Sequence, residues 1–174
     1  MNARLYALVF LAGSTALVFA DWPQWRGPDR DGLSKETGLR KEWPKDGPKL
    51  LWKATGLGGG YSTPSIVGNK LYALGAKGLK AGGGGGFGMK DKGGKDNSKG
   101  KGGFGGGGGP SVPESLVCID LTKPDRVAWA TEFGATGKSF PGPRSTPTVD
   151  GDRVYAISSN GVLGCFSAAD GKLV

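Results

Sequence analysis

Histidine is missing from all 174 residues, and cysteine and methionine occur only twice each. The first absence excludes His general bases, Ser-His-Asp triads and imidazole metal ligands from this chain. The scarcity of cysteine leaves Cys118 and Cys165, 47 positions apart, with neither an adjacent pair nor a Cys-x-x-Cys motif. Long apolar runs are also wanting: the longest, Leu5 to Ala20, has sixteen residues, against the roughly 20 that a membrane-spanning helix needs. No 3.6-residue hydrophobic period is visible after residue 21, which points away from helices and toward an all-β chain. No catalytic residue, cofactor-binding residue or metal ligand is assigned from the sequence.

The first 20 residues read as an export signal. Arg4 supplies a positive start, Leu5 to Ala20 the apolar stretch, and Val18-Phe19-Ala20 the residues that a signal peptidase accepts. Asp21 and Arg26 follow without a stop-transfer pattern, and Ser14 stands where a lipoprotein would carry its lipidated cysteine after Leu11-Ala12-Gly13. The expectation is cleavage near Ala20 and a mature chain with no transmembrane span, in the periplasm or outside the cell.

An internal repeat dominates the rest. Ser62-Thr-Pro-Ser-Ile-Val-Gly-Asn-Lys-Leu-Tyr-Ala-Leu-Gly75 recurs as Ser145-Thr-Pro-Thr-Val-Asp-Gly-Asp-Arg-Val-Tyr-Ala-Ile-Ser158. Each copy reads as a strand, a tight turn at Gly68-Asn69 or Gly151-Asp152, and a second strand. In the second copy a further short turn, Ser159-Asn160-Gly161, leads into Val162 to Phe166. In the first copy the matching strand, Leu116 to Ile119, is reached only after a tract with sixteen glycines between Gly82 and Gly109. Ser62 to Cys118 spans 56 positions and Ser145 to Cys165 spans 20, so the first hairpin loop is inflated by 36. Residues 76–113 are therefore expected to be a disordered Gly/Lys-rich insertion, which a sheet tolerates because closure entropy rises only logarithmically with loop length. Cys118 and Cys165 then fall at equivalent repeat positions, which predicts two buried thiols in neighbouring sheets and no disulfide, since stacked sheets lie about 10 Å apart. The unit beginning at Val127 is expected to have four strands, Val127 to Phe133, Thr146 to Val149, Arg153 to Ile157 and Val162 to Phe166, and a Trp-bearing strand is expected at Leu50 to Lys53.

Cys165-Phe-Ser-Ala-Ala-Asp-Gly-Lys-Leu-Val174, Cys118-Ile-Asp-Leu-Thr-Lys-Pro-Asp-Arg-Val-Ala-Trp129 and Lys49-Leu-Leu-Trp52 resemble the PQQ-like, quinoprotein-type β-propeller repeat. Its pattern runs from a small residue through a polar-Gly-Lys turn to a tryptophan ten positions on, which for Cys165 would be position 175. The turn after Cys118 is one residue longer and has Pro124 where glycine is usual. The resemblance implies about two four-stranded antiparallel blades, residues 47–75 and 114–174, of a ring with 7 or 8 blades, and hence a fragment or truncated product of a longer protein. It also implies that the tryptophans dock between blades. Residues 21–46, opening Asp21-Trp-Pro-Gln-Trp-Arg-Gly-Pro, are similar to the lead-in of exported bacterial members and are expected to form an aromatic strap packed on a blade.

Charge and motifs narrow the function. The net charge of +8 includes +5 from residues 76–113 and +1 from Arg4, which leaves +2 elsewhere. A nearly neutral folded part carries no basic footprint for nucleic acid; the basic tract suits weak contact with anionic cell-wall polymer. Gly134-Ala-Thr-Gly-Lys-Ser139 is too short between its glycines for a phosphate loop, and Asp29-Arg-Asp-Gly32 with Glu36 lacks the alternating ligands of a calcium loop. The expected role is a non-catalytic interaction or scaffold module of the cell envelope with other envelope proteins as partners. The alternatives are the N-terminal part of a quinoprotein alcohol dehydrogenase, whose PQQ and calcium would be held by residues outside this segment, and an envelope polymer-binding protein acting through the Gly/Lys tract.

Overall fold

The computed structural model describes residues 21–78, 111–137 and 142–174. The expected signal segment and nearly all of the Gly/Lys tract lie outside the described residues. All described regular structure is β, in two antiparallel sheets. The first has four strands in chain order, β1 (Ser65–Val67), β2 (Lys70–Ala76), β3 (Pro113–Asp120) and β4 (Val127–Ala135). The second has three, β5 (Thr148–Asp150), β6 (Arg153–Ile157) and β7 (Leu163–Ser167).

The repeat is visible in the register. Tyr72 lies between Ser65 and Cys118 in the first sheet, as Tyr155 lies between Thr148 and Cys165 in the second. The tight turns have Gly68 and Gly151 at φ 53° and 56°, a left-handed conformation that costs glycine least. β2 and β3 pair over their full length from Lys70↔Asp120 to Ala76↔Glu114, so the 36 residues between Ala76 and Pro113 connect neighbouring strands, as the repeat requires.

Three expectations need correction. The strand at Val127 belongs to the first sheet, because β3 supplies it with a partner edge and pairs Cys118 with Trp129. The second sheet accordingly has three strands, extended only by a bridge from Leu173 to Phe166. Leu50 to Lys53 form no strand: no described strand offers them a ladder.

One core joins the sheets. Tyr72, Leu74, Leu116 and Cys118 from one face of the first sheet pack on Val149, Val154, Ala156 and Phe166 from the second. At about 1.5 to 3 kcal/mol for each large apolar side chain buried, this contact dominates the cohesion of the pair. Trp129 reaches across it: its ring lies 5.9 Å from that of Tyr72, and a Cβ on Gly171, in the turn after β7, would overlap it. Phe133 meets Phe166 edge-on at 5.1 Å. Hydrogen bonds follow the same seam, from Lys70 Nζ and Tyr72 Oη to the Ala168 carbonyl (2.9 and 3.1 Å) and from Thr131 Oγ1 to the Gly171 carbonyl (2.7 Å).

The strap ties the inner strands. Trp22 exchanges backbone bonds with Ile66 on β1 at 2.7 and 3.0 Å, and the Pro23 carbonyl accepts the N–H of Val149 on β5. Trp22 is half-buried with Gly27 against its ring, whereas Trp25 points into solvent. Further on, Gly59 bridges Ala76, and the Leu57 carbonyl lies against Gly75, where a side chain would collide with it. Residues 57–59 thus cross the face of the first sheet that Tyr72 does not occupy, whereas the strap pairs with the β1 edge.

Candidate functional site

Alternation along the strands separates the two sheets. In β2 and β3 both faces are buried, Tyr72, Leu74, Leu116 and Cys118 under the second sheet and Ala73, Val117 and Ile119 on the other side. In β6 only Val154 and Ala156 are buried, and Tyr155 and Ile157 are exposed, with Leu163 on β7 directly opposite Ile157. These residues match by repeat position: Tyr155 to Tyr72, Ile157 to Leu74, Leu163 to Leu116 and Cys165 to Cys118. Tyr72 is 2% exposed and Tyr155 39%. The apolar face that the first sheet buries is therefore presented again, uncovered by described residues, on the second.

The chemistry of the two Tyr/Cys pairs diverges with burial. Desolvation pushes the Cys118 thiol up to about 11 and raises the Tyr72 phenol, so Cys118 is a thiol with no nucleophilic character near neutrality. Cys165 is only half-buried, which corrects the expectation of two buried thiols; both cysteines are free. Tyr155 is raised first by the charge of the neighbouring Cys165 and then by a hydrogen bond to it.

A second cluster lies at the end of the sheets where the glycine tract enters. Glu114, fully buried at the start of β3, accepts the Ser159 N–H at 2.8 Å and the Ser159 hydroxyl. It locks the first sheet to the β6–β7 turn. The same turn is pinned by Asn160, whose Oδ1 accepts the Ser158 hydroxyl and the Ala135 N–H. Beside it a cleft of about 270 Å³ is lined by Arg144, Ser145, Ile157, Ser158 and Ser159, and the Arg144 guanidinium sits 5.8 Å from the centre of the Tyr61 ring. Both Ser159 donors bond the Glu114 carboxylate, so the pair holds the turn.

Sequence reasoning assigned no site residues and passed over Glu114 as one charge after the tract. A lone carboxylate carries no local signal of burial; its partner is 45 residues away. The serines at the head of each repeat make matching bonds: Ser62 accepts the Leu74 N–H and Ser145 donates to the carbonyl of Ile157, the matching residue. The phosphate-loop look-alike begins at the end of β4, its last two residues, 138 and 139, lie outside the described set, and no helix among the described residues follows it. Asp29 pairs with Lys35 at 2.6 Å and Asp31 caps the Leu33 N–H, both near the surface. Among the described residues no three His, Cys, Asp or Glu side chains gather to hold a metal ion. Among them, too, no helix is long and apolar enough to cross a membrane. Comparison of the chain with family models, with curated proteins and with solved structures gives no match.

Proposed function

We propose that the chain is part of a PQQ-like β-propeller that serves as a non-catalytic interaction or scaffold module of the cell envelope. One observation carries the reading: the exposed face of the second sheet repeats, position by position, the face by which the first sheet is buried. A sheet that is covered on one side and offers its neighbour's buried surface on the other is the unit of a stack that continues. In a propeller such stacking runs round a ring of about 4 to 8 blades. The seat of Trp129 between the sheets agrees with the docking role that the resemblance gives these tryptophans. Export rests on the pattern of residues 1–20, and the Lys-bearing tract supplies a second, weaker contact with anionic polymer. The dehydrogenase reading draws no support from the described side chains, and fold alone does not confer that chemistry.

The test is photocrosslinking in cells from benzoylphenylalanine placed at position 155, with position 72 as the control. Adducts from position 155 with the β-repeat that stacks on this face, and none from position 72, are expected. Loss of the position 155 adducts, or a saturable change in the quinone absorbance when PQQ and calcium are titrated into the purified chain, would overturn the reading.

A further inference from the structure

The one Asn-Gly pair of the chain, Asn160-Gly161, sits where the two sheets are joined. The Gly161 N–H donates to the Ser158 carbonyl at 3.0 Å and closes a β-turn with Ser159 and Asn160 at its centre. Neither central residue has a positive φ, so the turn is of type I, and Gly161 follows it at φ 86° as the left-handed residue of a three-residue hairpin loop. The Asn160 side chain reaches back to the first sheet. Its Oδ1 accepts the Ser158 hydroxyl at 2.5 Å and the N–H of Ala135 on β4 at 3.3 Å. Ser158 is buried and lies on the backbone of Gly134, where a Cβ would overlap it. Glu114 on β3 holds the residue between them, Ser159. Asn160 itself is exposed, so water reaches it.

Asparagine followed by glycine meets the least steric resistance to deamidation, because glycine sets no side chain beside the attacking nitrogen. The Gly161 nitrogen gives its proton to hydroxide and attacks Cγ of Asn160; the Cγ–Nδ2 bond breaks, and Nδ2 takes a proton from water and leaves as ammonia. A second water opens the five-membered succinimide at one of its two carbonyls, leaving aspartate or isoaspartate. In the folded chain the attack is blocked twice. The N–H that must be lost is bonded to the Ser158 carbonyl. In a type I turn, ψ of the second central residue is about 0°, which keeps the Gly161 nitrogen about a third of a turn from Cβ around the Asn160 Cα–C bond, whereas ring closure needs the two eclipsed. The donors on Oδ1 hold the side chain on β4 meanwhile. We propose that Asn160 is a deamidation site gated by the joint between the sheets, protected while the β6–β7 turn is seated on β3 and β4 and converted when the turn lifts away. Isoaspartate lengthens the backbone of the turn by one carbon, and either product sets a new carboxylate beside the residue that Glu114 holds, so the turn does not reseat as before. Conversion is a one-way release of the second sheet from the first at this end. The inference needs only the joint between the described sheets and stands whether or not the propeller reading does.

The test compares the purified chain with a synthetic peptide of residues 156–164, both held in mildly alkaline buffer and followed by peptide mass analysis, with electron-transfer fragmentation to tell isoaspartate from aspartate. Conversion at position 160 should be about tenfold or more slower in the folded chain than in the peptide, and equal to it in urea, because it proceeds from the opened turn. Ser158→Ala removes a donor to Oδ1, and Glu114→Ala frees Ser159 from the first sheet. Each should raise the folded-chain rate by about fivefold or more while circular dichroism still reports the sheets. Chain aged in urea and refolded should melt below chain refolded without ageing. Asn160→Ser, aged in the same way, separates this effect from conversion at Asn69 and Asn97 and should melt unchanged. A folded chain that converts as fast as the peptide, folded variants that leave its rate unaltered, or a midpoint that ageing leaves in place or lowers equally in Asn160→Ser would overturn the inference.

Discussion

Glu114 is the residue at which the two sheets are joined most economically, one carboxylate against two donors of Ser159. Replacing it with alanine removes two charge-assisted bonds to Ser159, which is exposed and whose hydroxyl keeps the Gly142 carbonyl as acceptor, at a cost of about 1 to 3 kcal/mol. Urea unfolding followed by tryptophan fluorescence should show a stability loss of that size; an unchanged midpoint would mean that water replaces the carboxylate at Ser159 without loss. The cysteines separate in a different assay. With its thiol at about 11 and no exposed surface, Cys118 should resist iodoacetamide at neutral pH until the chain unfolds, while half-buried Cys165 reacts in the native state. Mass analysis of the labelled peptides distinguishes the two. Asp170 adds a pH dependence: hydrogen bonds from Lys172 and Ser167 hold it at about 2, below its unfolded value of 3.8. Its stabilisation is complete above the unfolded value and is lost as pH falls through about 2. Asp170→Asn should therefore flatten the acid limb of stability between about pH 4 and 2, measured by thermal melts across that range.

At the scale of elements, the strands of the repeat were readable because each carries alternation and a glycine turn. Arg153–Ile157 matches its expected bounds, and β2, β3, β5 and β7 lie within a few residues of theirs. β4 was readable as a strand but not as a member of its sheet. Strand pattern says which residues face inward, whereas membership depends on which edge is open, and β3 was the nearest open edge in the chain. Leu50 to Lys53 shows the converse, a strand pattern without a ladder, since propensity alone does not hold an isolated strand. The strap was half legible: Trp22 packs because Gly27 leaves room for its ring, and nothing in the sequence distinguishes it from the exposed Trp25. The uncovered face of Tyr155, Ile157 and Leu163 could be seen only once the repeat was laid on the burial pattern, because the same residues are buried in the first copy.

For the whole molecule, the decisive fact is that β2 and β3 are paired neighbours although 36 residues separate them. The ladder holds its register from Lys70↔Asp120 to Ala76↔Glu114. The cost of the connection is entropic: closing 36 residues in place of about six is unfavourable by roughly 1.5 kcal/mol from the logarithmic law, before any stiffness of the short loop is counted. Replacing residues 79–110 with Asn-Gly, while keeping Lys77, Gly78, Ser111 and Val112, should leave the β-sheet circular dichroism unchanged and raise stability by about that amount in urea. The same change removes most of the +5 of the 76–113 segment, so retention on anionic cell-wall polymer should fall. Loss of the folded signal would instead mean that the tract holds β2 and β3 together, and retention without it would move polymer contact to the folded sheets.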